Sequence, residues 1–550
     1  MIGQSGLAGR TSSVSGIALI ILVVIIATAI RLVAVPLQLP RSGDLGDRGI
    51  GVLAAPVRLP RSGDLGYPRN GVPAYIFSVP AQQLELGQAI YAQRCEICHG
   101  VEGDGNGPAA SNMDPRPRDF RRGWYKIRTT TSGQLPTDED LLLVITKGMP
   151  GTTMPGWQGV LAQAEIQAVV EYIKTFSARF ERETPAVVEV GPKFEADEES
   201  VARGSEIFLG AEAECIKCHG AAGRGDGPSA AELTEDFFGD VIVPADLTMP
   251  WLFRGGPTAD DIYMRLKTGL TGSPMPSYAE VLSDEDLWHL ANYADSLGAD
   301  NPPELEPAIL ATRAPGAIPD DPRAEVWQEA EEYYYPLVGQ IMREPRNYTP
   351  SIAGVWVRAL YDDSEIVLLL KWHDRFNDSG DGEAPTDGFA VQFPAELAEG
   401  DERPYFVFGE PARPVNLWQW SAATNIVEER TARGAGTDIA QATQNVEGQA
   451  SFNEGEYTLL IRRELKTNDG EDIQFELGQF VPIAFIAWDG WRDEQPVSAA
   501  ISSWFLIYLD KPVPATAYAW IPVTILAVAL IEAGILWAVR RGTRREEQAS

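Results

Sequence analysis

All four cysteines of this chain lie in two Cys-x-x-Cys-His boxes: Cys95-Glu96-Ile97-Cys98-His99 and Cys215-Ile216-Lys217-Cys218-His219. That spacing suits covalent attachment of a c-type haem. The two thiols add to the two vinyl groups, and the adjacent histidine ligates the iron. One box alone would also fit a zinc half-site or a redox dithiol. Two boxes, each followed at matched distance by a Met-Pro, favour haem. His99 and His219 are then the proximal ligands by position. Met154 and Met275, each followed by proline, stand 55 and 56 residues past their histidines and are the expected distal ligands. A thioether in that place favours ferrous iron and raises the potential relative to a second histidine. Met149 is the rival in the first set, but it aligns with Leu270. The expectation is two covalent haem c groups and one-electron transfer, with no catalytic residue: no Ser/His/Asp set, open metal site or phosphate loop is evident.

The elements that must hold these groups form an internal duplication, 81–180 and 197–299. Pro136-Thr137, Gly148, Gly151, Met154-Pro155 and Tyr172 match Pro257-Thr258, Gly269, Gly272, Met275-Pro276 and Tyr293 at a constant offset of 121 residues. Each box is preceded by Gly-x-x-Ile-aromatic, Gly87-Ile90-Tyr91 and Gly204-Ile207-Phe208. These predict an N-terminal helix ending near the box. A second amphipathic helix is predicted around Glu165–Phe176 and Asp284–Leu297, with apolar positions at three and four. Gly87 and Gly204 are expected to let the two helices approach closely. His289 aligns with Ala168 and is expected to be a surface or helix-packing histidine. The pattern resembles the class I cytochrome c family over both repeats, which implies the small cytochrome c fold twice.

The chain has 550 residues, enough for about three or four domains. A net charge of −33 argues against nucleic-acid binding and fits either a basic redox partner or solubility in salt. No cysteine remains for a disulfide. Haem attachment nevertheless places the boxes outside the cytoplasm. Residues 14–37 hold an apolar run, Ile17–Ile30, that reads as a signal-anchor or as a signal peptide cleaved near Ala27-Thr28-Ala29. Residues 38–80 are rich in Pro, Gly and Arg, repeat Leu-Pro-Arg-Ser-Gly-Asp-Leu-Gly at 39–46 and 59–66, and read as a linker. Residues 515–539 are long enough for a transmembrane helix. Arg540, Arg541, Arg544 and Arg545 follow, so the tail is expected in the cytoplasm and the haem domains on the periplasmic side. Glu532 inside the span is costly unless paired or close enough to an end to snorkel.

Residues 181–196 and 299–322 read as Pro- and Glu-rich joints. From 323 to 512 the periodicity changes to short alternating runs: Val355–Leu360, Ile366–Trp372, Phe389–Phe393, Tyr457–Ile461 and Ile483–Trp488. Asp362-Asp363, Asn468-Asp469-Gly470 and Asp489-Gly490 supply turns between them. The expected fold of this part is an all-β sandwich. The fold class of the whole is therefore multidomain: two all-α domains, a β-sandwich and terminal transmembrane helices.

This C-terminal part resembles the ethylbenzene dehydrogenase gamma-subunit family. The stretches that carry the resemblance are Val355–Asp374, Asp387–Pro394, Val415–Trp420, Ala484–Gly490 and Ser502-Ser503-Trp504. It implies a domain able to hold one b-type haem between methionine and lysine, and to exchange electrons with a molybdenum enzyme that has an iron–sulfur relay. Nitrate reductases, nitrite oxidoreductases and dimethylsulfide dehydrogenase have related subunits. Where the family's methionine precedes the glycine, this chain has Phe408-Gly409. Lys466, His373 and Met342 are left as candidate ligands of a third haem. The function expected is a membrane-anchored dihaem relay in a respiratory chain, with redox-protein partners. Two other readings stay open: a haem enzyme of peroxidase-like or other oxidoreductase type, and a redox-linked binding module that uses the sandwich.

Overall fold

The computed structural model describes residues 81–234, 238–380, 385–398, 400, 402–511 and 520–547. The expected signal segment 14–37 and linker 38–80 lie outside the described residues. The described residues fall into two compact units, 81–511 and the C-terminal helix 520–547.

The first half of the larger unit is helical, and its elements repeat. Ala81–Arg94, Glu96–His99, Asp138–Lys147 and Gln163–Lys174 are followed by Glu198–Leu209, Ile216–His219, Ala259–Thr268 and Asp284–Ser296. Thr137 and Thr258 start the equivalent middle helices with the same capping box, to Asp140 and Asp261. In each set the first and last helices cross at a glycine. A Cβ on Gly87 would sit 2.0 Å from the Ala168 carbonyl oxygen, and one on Gly204 would sit 2.0 Å from that of His289. No side chain fits there, so the sequence position fixes the crossing point. Tyr91, Ile166 and Val169 fill the first core, and Phe208, Leu287 and Ala291 the second. His289 lies at that crossing and bonds Ser200 Oγ through Nδ1 at 2.8 Å.

The β-rich half differs from two separate layers. Its strands form one hydrogen-bonded path in the order β10-β11-β5-β4-β1-β14-β12-β6-β7-β8-β9. These are β1 Ala308–Arg313, β4 Gly354–Tyr361, β5 Glu365–His373, β6 Gly388–Pro394, β7 Val415–Ser421, β8 Ile426–Ala432, β9 Ile439–Ala440, β10 Val446–Asn453, β11 Glu456–Glu464, β12 Phe480–Trp488 and β14 Phe505–Leu509. Short β2 Tyr333–Pro336, β3 Val338–Gly339 and β13 Ala500–Ile501 flank it. The path curls until its ends meet: the Asn425 side chain, just before β8, bonds both the carbonyl oxygen and the amide of Ala450 in β10. Trp372, Phe389, Trp418, Phe485 and Ile461 belong to its largest hydrophobic core, and smaller clusters around Phe408 and Trp327 lie beside it. Each of these side chains contributes roughly 1.5–3 kcal/mol on burial.

β1 corrects the expected boundary. Residues 299–322 do not serve as a joint throughout, because Ala308–Ala311 pair in parallel with Leu506–Leu509 and Thr312–Arg313 pair with Leu360–Tyr361. This short strand links the two halves of the path. Its prolines and glutamates lie outside it and mask a six-residue alternation.

In the second unit, Trp520–Glu547 is one helix. Its Trp520–Gly542 portion is 23 residues long with a mean hydropathy of 2.1, sufficient by length and composition to cross a membrane. The described apolar span thus runs from 520 to 542, against the expected 515–539, of which 515–519 lie outside the described residues.

Candidate haem sites

Each Cys-x-x-Cys-His box folds as one helical turn. Cys98 N–H and His99 N–H both donate to the Cys95 carbonyl, at 3.1 and 2.9 Å; Cys218 and His219 repeat this on Cys215 at 3.2 and 2.9 Å. One turn brings the two thiols of a box to the same side, as neighbours three apart on a helix must be. The loops that follow are superimposable by hydrogen bond. Gly105 N–H donates to His99 O and Gly107 N–H to Cys98 O, as Gly225 and Gly227 do to His219 and Cys218. No disulfide joins any of the four cysteines. Burial pushes the Cys95 and Cys215 thiols up to about 11, so they stand protonated before attachment.

Both imidazoles are oriented by a backbone carbonyl. His99 Nδ1 lies 3.1 Å from Arg118 O, and His219 Nδ1 lies 3.0 Å from Ala245 O. A carbonyl accepts only, so Nδ1 carries the proton and Nε2 keeps its lone pair for a metal. Burial lowers His99 to about 4 and lowers His219 as well, keeping both rings in the neutral, ligating form. Phe120 stacks on His99 at 4.5 Å.

The methionine loops also correspond. Met149 N–H donates to Met154 O at 3.1 Å, and Leu270 N–H to Met275 O at 3.1 Å; Trp157 N–H and Tyr278 N–H then return to Ile145 O and Leu266 O. Met149 and Leu270 therefore close the base of the turn that presents Met154 and Met275. In the second set, Cys215, Cys218, His219 and Met275 all line one cavity of about 870 Å³. Its size is within the usual range for a bound cofactor, and Leu247, Leu266 and Phe253 give it apolar walls. Thiols, a tautomer-fixed imidazole and a thioether on one apolar cavity are a donor set that fits haem c.

The two helical sets are clasped together. Arg128, fully buried, donates through Nη2 to Thr268 O at 2.7 Å and through Nη1 to Gly269 O at 3.4 Å. These carbonyls end the helix that leads into the Met275 loop, where a cation complements the helix dipole. Arg265 Nη2 returns a bond to Arg128 O at 2.8 Å. Sequence reasoning missed Arg128, because nothing local marks a buried arginine whose partners lie 140 residues away.

The sheet docks beside the second histidine. Asp246, next to Ala245, pairs with His373 Nδ1 at 2.6 Å, and Glu456 lies 3.6 Å from its Nε2. Burial opposes the charge on His373, but Asp246 and Glu456 outweigh it and hold the group above its ordinary value. Arg224 adds bonds to Glu454 O and Glu456.

The three candidates for a third haem are not brought together. His373 pairs with Glu456 at the start of β11, whereas Lys466 follows its far end and pairs with Glu476 on the surface. Those positions are separated by roughly 26 Å of extended strand. Met342 is 60% exposed. Phe408 is buried among Val407, Val415, Leu417 and Trp488. The interior beside Trp418 holds the guanidinium of Arg463, which pairs with the equally buried Glu429 at 3.5 Å.

The sequence matches the family described as cytochrome C oxidase, cbb3-type, subunit III over residues 82–173 and 199–293, and the ethylbenzene dehydrogenase family over 324–441. The chain thus combines cytochrome c domains with an ethylbenzene dehydrogenase-like domain, and cytochrome c domains carry electrons on covalently held haem. The chlorate reductase subunit gamma of Ideonella dechloratans is 27% identical over 36% of this chain and 83% of its own length. The dimethylsulfide dehydrogenase subunit gamma of Rhodovulum sulfidophilum is 27% identical over 36% and 80%. The cbb3-type cytochrome c oxidase subunit FixP of Azorhizobium caulinodans is 25% identical over 38% of this chain and 59% of its own length.

Proposed function

We propose that this chain is a membrane-anchored dihaem cytochrome c that relays electrons to or from a molybdenum oxidoreductase of the nitrate reductase/nitrite oxidoreductase type. Its domains are 81–180 and 197–299 for the haems and 308–512 for docking. Cys95 and Cys98 anchor the first haem, with His99 and Met154 as axial ligands; Cys215, Cys218, His219 and Met275 serve the second. A bound haem supplies one-electron chemistry between ferrous and ferric iron. The residues do the rest. The Arg118 and Ala245 carbonyls hold the imidazole protons on Nδ1, and Arg128 fixes the spacing between the two sites. The helix Trp520–Glu547 anchors the chain, with its arginine-rich tail in the cytoplasm and the haem domains on the periplasmic side.

The observation that carries this reading is the shared cavity of Cys215, Cys218, His219 and Met275, together with the same backbone framework around Cys95, Cys98, His99 and Met154. The relatives' roles as gamma subunits support the choice of partner. Purification of the native complex from detergent-solubilised membranes tests it. A co-purifying molybdenum subunit, with both haems reduced or oxidised by that enzyme's substrate, is the expected result. A protein that purifies alone, with haems unresponsive to any molybdenum enzyme of the same membrane, would reject the partner.

A further inference from the structure

Three strand ends converge on one buried pocket in the sheet domain. Asp374 follows β5, Asp387 precedes β6 and Asp489 follows β12. They are 4%, 0% and 2% exposed, and one carboxylate oxygen from each lies within 4.8 Å of the others. Among the described residues no lysine, arginine or histidine pairs with any of them. The guanidinium of Arg375, whose buried Nε meets no acceptor, lies in the field of Asp374 and Asp489 and donates through Nη2 to Pro244 O at 3.4 Å, one positive charge against several carboxylates, while Arg492 from the adjoining turn pairs with Asp114 at 2.7 Å.

Hydrogen bonds shape the pocket without neutralising it. Asp387 accepts from Gly490 N–H at 2.9 Å, from Asp378 N–H at 2.7 Å and from Tyr457 O–H at 2.7 Å. Asp489 accepts from Trp491 N–H at 2.8 Å, and Asp374 Oδ1 from Phe376 N–H at 3.3 Å. Asp374 Oδ2 is buried and meets no donor, and the same is true of Asp378 Oδ2 beside it. A buried carboxylate oxygen with no partner loses its hydration for nothing. Several such groups in one pocket would have to take up protons or share a cation.

The geometry favours the cation. Oxygens bound at about 2.4 Å to one ion can lie no more than about 4.8 Å apart across it, and the three carboxylate oxygens here all lie within 4.8 Å of one another. The donors are all oxygen, which selects a hard ion over zinc or copper. Three or four carboxylates from rigid strand ends suit calcium better than magnesium, which keeps most of its water.

We propose that Asp374, Asp387 and Asp489, with Asp378 beside them, bind one divalent cation of the calcium class. The ion would brace the two turns that grip the helical half. The first turn, 373–378, carries His373 to Asp246 and Arg375 to Pro244 O; the second, 489–494, carries Arg492 to Asp114. The site is thus a structural one that fixes the sheet domain against both haem-bearing sets.

The test uses the full-length detergent-purified holoprotein, stripped with a chelator and titrated with calcium chloride. One calcium per chain is expected by calorimetry and by elemental mass spectrometry. Chelation should lower the melting temperature by several degrees, calcium should restore it, and magnesium at equal concentration should not. Asp489→Asn keeps shape and removes charge, and should abolish the calcium-dependent shift while the haem spectrum persists. Wild-type protein that binds no calcium and melts identically with chelator or calcium would overturn the proposal. So would an undiminished calcium response in Asp489→Asn, which would locate the ion elsewhere. If that variant does not fold, the stripped and reloaded wild type still decides.

Discussion

The two helical sets share a backbone and differ in what surrounds the imidazole. His99 stacks on Phe120 and bonds the carbonyl of Arg118, whose guanidinium adds positive field and helps lower the histidine's proton affinity. His219 bonds the carbonyl of Ala245, and the next residue is the carboxylate Asp246, which acts in the opposite direction. Asp246 is in turn held by His373 of the sheet domain. Duplication therefore preserved the box turn, the carbonyl that bonds the imidazole and the methionine turn, while the neighbours diverged. The second set is wired into the sheet, and the first is clasped to the second through Arg128. A positive neighbour favours ferrous iron, so the first haem should have the higher potential.

The largest effect should come from the anchors. Cys98→Ser and Cys218→Ser should each lose covalent haem from their own set, halving the haem content per chain while the other set keeps its spectrum. Loss of both haems from one substitution would mean that the sets do not mature independently. Next, Met154→Ala and Met275→Ala should each diminish the weak long-wavelength sulfur-to-iron band and lower one potential. That fall should be a fraction of the roughly 0.8 V span that axial ligands control. If Met149→Ala does this and Met154→Ala does not, the parallel between the two loops breaks.

Arg128→Ala should leave haem content intact and cost about 2–4 kcal/mol, because it strands buried carbonyls at a helix end. Thermal melting followed at the haem bands would read this, and Arg128→Lys should recover only part, since one ammonium cannot reach both carbonyls in the fork geometry. The smallest effect concerns His373. Its proton affinity is raised on folding, so the contribution of its pair with Asp246 is fully present below the unfolded value. That contribution is lost as pH rises through the folded one. Docking should weaken on the alkaline side by about 1.5–3 kcal/mol, the range of a charged hydrogen bond. His373→Gln should flatten that part of the stability-versus-pH curve. The potential of the second haem should also fall with rising pH, on the order of 50 mV, as Asp246 loses its counter-charge. A wild-type pH profile identical to that of His373→Gln would remove His373 from the comparison.

Much of the helical half was legible because its constraints are local or repeat. The Thr-x-x-Asp caps and the two methionine turns recur at an offset of 121 residues and the crossing glycines at 117, so each copy reads the other. In the sheet, Val355–Leu360, Ile366–Trp372, Phe389–Phe393, Tyr457–Ile461 and Ile483–Trp488 fall within β4, β5, β6, β11 and β12 because aliphatic and aromatic residues mark buried strands. β10, Val446–Asn453, was not legible: it is polar and alternates buried or partly buried with exposed residues over a Gly- and Gln-containing run. β1 was hidden by its proline-rich flanks. The contacts Arg128–Thr268, His373–Asp246 and Arg492–Asp114 could not be read at all. Each depends on how separate segments dock, and no short-range pattern encodes that. Asp489 read as a turn residue, and Asp374 and Asp387 only bounded stretches that carry the family resemblance; their convergence depends on three strand ends meeting.

The central claim, that both repeats hold covalent haem, is tested most directly by counting haem in the denatured full-length protein. Acid-acetone extraction followed by the pyridine haemochrome spectrum of the residual protein should give two covalently attached haems per chain and nothing in the extract. One covalent haem would break the equivalence of the two sets. Stoichiometric haem in the extract would mean that the sheet domain holds a third haem, although Lys466, His373 and Met342 lie apart.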